Sequence, residues 1–236
     1  MVEPFHLDGR RVWVKWHQGE RRRLALGVLD VTVRLLGLAC LRPPPRLAAA
    51  DACRLETRRL QHLHARGVAV PELLAQGETL LVLADGGPSL AHCLRGADED
   101  RAKALLEAAG AALAHAHAAG CCIGQPLARN IVVSSDDRIR FLDVEEDPLA
   151  VMNLAQAHAR DWLLFATGSL RHADLPDSAL VRLMRDCLHE VSAEVRRDMQ
   201  QVLSRLAVLA LLCRFAGKRA RAMRRSMAIM RRALEE

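Results

Sequence analysis

An amide side chain and a carboxylate stand at the two ends of a short predicted hairpin in the middle of this 236-residue sequence. Asn130 precedes one apolar run, and Asp143 follows a second apolar run thirteen positions later. If the runs pair as a tight antiparallel hairpin, both side chains lie at the same end of the two strands. The hairpin would then hold two oxygen-bearing groups at a fixed separation, ready for a common partner. The ordinary alternatives are a turn residue for Asn130 and a loop carboxylate for Asp143.

Lys15 is a further candidate, and it lies in a predicted strand near the start of the sequence. Asp8-Gly9 is a strong turn dipeptide between two alternating segments, so residues 5–16 are predicted to form a hairpin. Lys15 belongs to its second strand. A single lysine on a strand is ordinarily a solvated edge residue, and that remains the alternative here.

Residues 24–41 form a mostly apolar stretch that stops just before Pro43. Its length approaches that of a membrane span, but Asp30 and Arg34 interrupt it. Each such charge costs about 2.5–3.5 kcal/mol on insertion scales. The stretch is therefore predicted to be an inserted amphipathic helix that is buried or lies on a surface.

A helix is predicted over residues 47–66, which are rich in helix formers and end at Gly67, a suitable C′ glycine. This helix carries Glu56. The carboxylate of Glu56 can pair with Arg59 one turn along the same helix, or with a lysine elsewhere in the chain. Two short apolar runs around Gly77 then predict another hairpin.

The sequence Gly86-Gly87-Pro88 is typical of a linker and divides the chain by composition. Residues 1–87 are predicted to form a small strand-rich lobe, and residues 88–236 a larger helical lobe. The fold class is therefore predicted to be α+β.

The second part begins with one Ala-rich helix, predicted over residues 98–119. After the hairpin that ends at Asp143, the rest of the chain to residue 236 is predicted to be helical. Breaks are expected near Gly168 and Pro176.

Composition limits the class of protein. About half of the residues are apolar (51%), which is typical of a globular chain and not of a disordered one. The seven cysteines show no CxxC pair, so reduced thiols and a cytoplasmic location are expected. The first residues have no apolar core of signal-peptide length, and secretion is not expected. The net charge of +6 favours an anionic partner.

The joint spacing of five residues resembles that of the protein-kinase-like superfamily. These residues are Lys15, Glu56, Asn130, Asp143 and Asp161. The resemblance covers residues 5–170 and is nearest to small atypical bacterial kinases, such as lipopolysaccharide (Kdo and heptose) kinases and the kinase subunit of the KEOPS tRNA-modification complex. It implies a two-lobed fold, with a small strand-rich N-lobe and a larger helical C-lobe.

The resemblance also implies ATP as the nucleotide and transfer of its terminal phosphate to a hydroxyl of a saccharide, lipid or protein. Lys15 would hold the phosphates, and Glu56 would hold the lysine. Ala84 and Asp85 lie in the segment that would act as the hinge and receive adenine through backbone hydrogen bonds.

For the metal and the catalytic loop, the resemblance implies that Asn130 and Asp143 bind Mg²⁺ through hard oxygen ligands. Asp161, at the start of a buried helix, would hold the backbone of the catalytic loop. Gln125 stands where active members have the aspartate that accepts the proton of the substrate hydroxyl. Ile123 replaces the histidine or tyrosine of the same loop.

Gln125 leaves three hypotheses open. A neutral amide cannot act as a general base near neutral pH, and losing such a base typically costs about 10²–10⁴-fold in rate. A glycine-rich phosphate loop is also not expected, since only four residues precede Phe5. The chain is then a weakened kinase in which Glu145 or Glu146 substitutes as base, a pseudokinase that binds a partner or an anionic surface, or a basic scaffold.

The C-terminal stretch has the strongest charge feature of the sequence. Its basic residues are Arg214, Lys218, Arg219, Arg221, Arg224, Arg225, Arg231 and Arg232. We expect either a solvated helix face or a surface for anionic headgroups of the inner membrane face or for RNA phosphates. Sequence-specific DNA or RNA recognition is not expected, because aromatic residues are few (3%).

Overall fold

The computed structural model describes residues 1–18, 37–45, 47–212 and 218–235. A four-stranded antiparallel sheet with one helix precedes a larger helical part that contains a two-stranded hairpin. This is the α+β, two-lobed kinase-like architecture that the sequence predicted. No described helix is both long enough and apolar enough to cross a membrane.

The sheet of the N-lobe has the strand order β1-β2-β4-β3, with all neighbours antiparallel. Its elements are β1 (Val2–Leu7), β2 (Arg10–Trp16), α1 (Ala49–Ala65), β3 (Leu73–Gln76) and β4 (Leu80–Ala84). Both predicted N-terminal hairpins are confirmed. Asp8 and Gly9 have φ angles of 49° and 74°, the positive pair that a type I′ turn requires.

The end of α1 follows from local chemistry. Gly67 has a φ of 76°, in the left-handed region that glycine adopts readily. The Gly67 N–H donates to the carbonyl of His64, and the Val68 N–H donates to that of Leu63. These two bonds define a Schellman motif, and buried Val68 supplies its apolar contact.

The C-lobe is built around the helices and the second hairpin. Its elements are α2 (Leu90–Leu94), α3 (Glu99–Ala118), β5 (Ile131–Val133), β6 (Ile139–Phe141), α4 (Leu154–Ser169), α5 (Asp177–Cys187), α6 (Ala193–Leu212) and α7 (Lys218–Glu235). Asp98 caps α3 by accepting a hydrogen bond from the Arg101 N–H at 2.8 Å. Large buried side chains such as Trp162, Phe165 and Leu106 fill the centre of this lobe.

The two lobes join closely at the glycine segment. The Val133 N–H of β5 donates to the carbonyl of Pro88 at 2.9 Å. Gly87 has a φ of 99°, and a Cβ built there would lie 2.3 Å from the carbonyl oxygen of Val133. Only glycine permits this approach of the connecting backbone to the C-lobe hairpin. The boundary between residues 87 and 88 stays a prediction.

Two predictions about helices need correction. The stretch from residue 143 to 153 is not helical apart from one 3₁₀ turn, Pro148–Ala150. A further interruption separates α5 from α6 over residues 188–192. Most of the amphipathic helix predicted over residues 24–41 lies outside the described residues, and its end, Ala39–Leu41, forms a 3₁₀ turn.

Candidate functional site: a lysine–carboxylate cleft between the lobes

Lys15, at the penultimate position of β2, is buried and surrounded by carboxylates. Its Nζ lies 2.9 Å from both oxygens of Glu56, 2.6 Å from Asp143 Oδ1 and 3.0 Å from Glu145 Oε2. Burial by itself would lower the pKa of this ammonium, but the attraction of Glu56, Asp143 and Glu145 outweighs it and raises the pKa above its usual value. Lys15 is therefore a fixed cation and not a solvated edge residue.

The charges around Lys15 leave an excess of negative charge. Glu56, Asp143 and Glu145 bring three carboxylates against a single ammonium. Because such an excess is unfavourable in a partly buried site, a divalent cation would fit it electrostatically. Asp143 itself has a φ of 58°, a left-handed conformation that costs energy in a non-glycine residue and that clusters at functional sites.

Glu56 lies in the middle of α1 with only 1% of its side chain exposed. The structure pairs it with Lys15 and not with Arg59, the alternative within the same helix. Arg59 instead donates to the backbone carbonyls of Val144 at 2.9 Å and of Cys122 at 2.9 Å. Arg59 thereby connects α1 to the loop before β5, through Cys122, and to the segment after β6, through Val144. The sequence did not predict this role.

His17 is a second partner of Glu56 that sequence analysis missed. Its Nε2 lies 2.7 Å from Glu56 Oε2, and 2% of its side chain is exposed. Its Nδ1 is buried and has no hydrogen-bond partner in the part of the chain that the structure describes. Because a carboxylate oxygen can only accept, Nε2 is the ring nitrogen that donates in this contact. The signal was the i, i+2 spacing from Lys15: His17 directly follows β2, and extended backbone points residues two apart to the same side.

We expect His17 to act as a positioning residue for the pair of Lys15 and Glu56. If the cleft binds ATP with Mg²⁺, as the resemblance implies, His17→Ala should weaken that binding roughly ten-fold, since a charge-assisted hydrogen bond that orients Glu56 is lost. Any turnover should show the change mainly in KM and not in kcat. His17→Gln should restore part of the affinity, because its amide can still donate.

The control for this measurement is His6→Ala, which removes an exposed histidine from β1. Nucleotide affinity measured by titration should be unchanged in the control. Equal affinities for the wild type and for His17→Ala would show that the histidine only fills space.

Asn130 and Asp143 flank the C-lobe hairpin, as predicted. The Leu142 N–H donates to the carbonyl of Asn130 at 2.7 Å, so the two ends of the hairpin are held together. Asn130 Nδ2 lies 3.4 Å from Asp143 Oδ2 and donates to the carbonyl of Gln125 at 3.1 Å. With Nδ2 engaged, the Oδ1 of Asn130 is the atom left to serve as a hard ligand beside the carboxylate.

Asp161 of α4 holds the backbone of the loop that carries Gln125. This buried carboxylate accepts hydrogen bonds from the backbone N–H groups of Ile123 at 2.6 Å and of Gly124 at 2.8 Å. His117 Nε2 lies 3.2 Å from the same carboxylate. The predicted contact between Asp161 and the loop backbone is therefore confirmed. The side chain of Gln125 has no hydrogen-bond partner among the described residues.

Glu145 and Glu146, the two residues considered as substitute bases, are held by basic partners. Glu146 Oε2 accepts from Arg160 Nη2 at 2.8 Å, with both side chains mostly buried. Glu145 contacts Lys15. A carboxylate engaged by a basic side chain is less available to act as the substitute base that the sequence left open.

The backbone N–H groups of the predicted hinge differ in whether they are free to bind adenine. The Ala84 N–H already donates to the carbonyl of Glu72 at 3.0 Å, so it is not available as an adenine donor. Within the described chain, the N–H groups of Asp85 and Gly86 have no acceptor. The Asp85 side chain accepts from Trp13 Nε1 at 2.8 Å and thus braces the indole ring against the hinge.

One cavity of about 570 Å³ connects these parts. Trp13 and Lys15 line it from the sheet, Gly86 from the hinge, and Asn130 and Asp143 from the C-lobe hairpin. The structure thus brings Lys15, Glu56, Asn130 and Asp143 to one cleft, as predicted from their spacing. Ala84, from the predicted hinge, also lines this cleft. Their roles toward a nucleotide and a metal stay predictions.

A two-lobed fold with a buried lysine–glutamate pair facing an Asn–Asp hairpin defines a kinase-like phosphotransferase class of protein. In agreement, residues 20–202 match the family model of the APH phosphotransferase enzyme family, which is part of the protein-kinase-like superfamily. The match spans well over half of the chain, and the chain belongs to this family. No curated protein matches it.

Proposed function

We propose that this protein binds ATP with Mg²⁺ in the cleft between the lobes and transfers the terminal phosphate to a hydroxyl acceptor. The observation that carries the proposal is the convergence of Lys15, Glu56, Asn130 and Asp143 on one cavity of about 570 Å³. Phosphoryl transfer asks the protein for positioning and for charge stabilisation, and these groups supply both. The acceptor is a hydroxyl of a saccharide, lipid or protein.

Each part of the cleft has a separate task in this proposal. Lys15 pairs with the nucleotide phosphates instead of Asp143, and it keeps its ion pair with Glu56. The N–H groups of Asp85 and Gly86 are the free hinge donors for adenine. Asn130 and Asp143 would hold the metal ion, which would offset the negative charge of the phosphates.

The acceptor proton is the weak point of the reaction. Gln125 can orient an acceptor hydroxyl through its side-chain oxygen but cannot take the proton. Glu145 and Glu146 are engaged by Lys15 and Arg160. The proton therefore leaves to water, and turnover is slow compared with an enzyme that has a positioned carboxylate.

A second candidate function is that of a pseudokinase that binds the nucleotide and a partner without turnover. The neutral Gln125 favours this candidate, because Lys15, Glu56, Asn130 and Asp143 still meet in one cleft. The two candidates share ATP and magnesium binding and differ only in phosphate transfer.

A thermal-shift titration tests the binding that both candidates require. ATP with Mg²⁺ at about one hundred times its Kd should stabilise the folded chain by about 2.7 kcal/mol, or roughly 5–10 °C in Tm for a chain of this size. The shift should fall sharply when EDTA replaces Mg²⁺. Trp13 fluorescence should change on titration because the indole lines the cavity.

The matched control is Trp13→Phe, which keeps an aromatic ring on β2 and should remove most of the fluorescence change while leaving a thermal shift. The outcome that rejects both candidates, and favours a basic scaffold, is a Tm unaffected by ATP with Mg²⁺. Release of ADP that follows ATP addition then separates the enzyme from the pseudokinase.

A further inference from the structure

One face of α7 carries a continuous strip of arginines. We define the arginine strip as Arg221, Arg224, Arg225, Arg231 and Arg232, with Ala228 at its centre. These positions recur at three, four and seven residues and therefore fall on one side of the helix. From the first arginine to the last, the strip extends about 16 Å at the helical rise per residue.

The opposite face of α7 explains why the strip points outward. Ile229, Met230, Ala233 and Leu234 are buried, and α7 packs on α5, α4 and α6. The apolar face of the helix is thus used by the fold itself. The helix cannot lie in a membrane interface by inserting this face, and the strip must act as a surface of the folded C-lobe.

The strip borders a groove of about 540 Å³ between α6 and α7. The floor of the groove is apolar and is formed by Leu203, Ala207, Met227 and Ala228. Arginines rim this floor. The groove lies entirely on C-terminal helices, and its lining shares no residue with the nucleotide cavity.

Acidic groups balance only part of the charge of the strip. Arg225 Nε lies 2.7 Å from Asp177, and Arg231 Nε lies 3.3 Å from Glu235. Arg221, Arg224 and Arg232 have no acidic partner in the portion of the chain that the structure describes. Five guanidinium groups against two carboxylates leave a local excess of positive charge beside an apolar floor.

We infer that the arginine strip and its groove bind the headgroups of anionic phospholipids and hold the C-lobe at a membrane surface. Guanidinium groups pair with phosphates in bidentate geometry, and basic residues gain about 1 kcal/mol each near an anionic leaflet. The apolar floor fits the glycerol and first methylenes of a lipid. An RNA backbone would pair with the same arginines but leave that floor unused, so the lipid is the better occupant.

Sedimentation of the full chain with vesicles tests this inference. Vesicles of phosphatidylcholine with 30% phosphatidylglycerol, in roughly 100 mM salt, should bind the protein, and pure phosphatidylcholine vesicles should not. The double substitution Arg221→Gln/Arg224→Gln should weaken binding roughly thirty-fold. Ala228→Glu, an exposed change on the same helix, should weaken it by placing a carboxylate in the strip.

The matched control is Arg10→Gln/Arg58→Gln, which removes the same charge from exposed N-lobe positions and should leave vesicle binding unchanged. If the control loses as much vesicle binding as Arg221→Gln/Arg224→Gln, the binding depends only on the net charge of the protein, and the inference is overturned. Equal binding to both vesicle types would overturn it too. A single-stranded uridine oligonucleotide that binds the strip more tightly than the anionic vesicles would assign the surface to RNA instead.

Discussion

Asp143→Asn is expected to abolish the thermal shift that ATP and Mg²⁺ produce. The substitution keeps the size of the side chain but removes the negative charge that the metal ion requires. Loss of groups that merely support a metal ligand costs about 10–100-fold in affinity, and loss of the ligand itself should cost at least the upper value. The change also removes the closest carboxylate of Lys15, at 2.6 Å, so the lysine is released toward Glu56 and Glu145.

The control for this substitution is Asp136→Asn, in the turn of the same hairpin. Asp136 is exposed and pairs with Arg138, away from the cleft. Its Tm shift with ATP and Mg²⁺ should equal that of the wild type. A magnesium-dependent shift that persists in Asp143→Asn, with circular dichroism showing an intact fold, would disprove the proposed metal site.

The substitution with the largest expected gain is Gln125→Asp. It restores a carboxylate at the position where the resemblance implies a general base, and positioned bases contribute about 10²–10⁴-fold in rate. Asp161 already fixes the backbone on the N-terminal side of this residue through Ile123 and Gly124. The loop is therefore held before the change is made, and ADP release should rise by about that factor.

Two companion variants sharpen the measurement. Gln125→Asn keeps the amide and should leave turnover at the wild-type level. The double substitution Gln125→Asp/Asp143→Asn should return ADP release to background, because the metal site is lost. If neither the wild type nor Gln125→Asp releases ADP although both show the thermal shift, the pseudokinase interpretation holds.

Local sequence signals determined most of the elements that carry the site. The dipeptide Asp8-Gly9 predicted the first hairpin because its backbone tolerates the positive φ angles of a type I′ turn. Gly67 predicted the end of α1 for the same kind of reason. Both effects act over a few residues, so they can be read without knowing how the elements pack.

The candidate site was predictable to the extent that it rests on spacing. The positions of Lys15, Glu56, Asn130, Asp143 and Asp161 along the chain resemble a known arrangement, and the structure brings them together. The loop after Asp143 was wrongly predicted as helix. Its path is fixed by Arg59 of α1 and Arg160 of α4, which bind it. Such long-range contacts cannot be inferred from the hydrophobic periodicity of the loop's own sequence.

The sequence by itself thus determined most of the elements, the net charge and the order of the candidate groups along the chain. Only the tertiary structure decided which partner each ionised group takes. Glu56 could have paired with Arg59 on its own helix. It instead binds Lys15 of β2 and His17, just after β2, which lie about forty residues earlier in the chain. The reason is that pairing depends on the distances between packed elements, and burial of the core sets these distances.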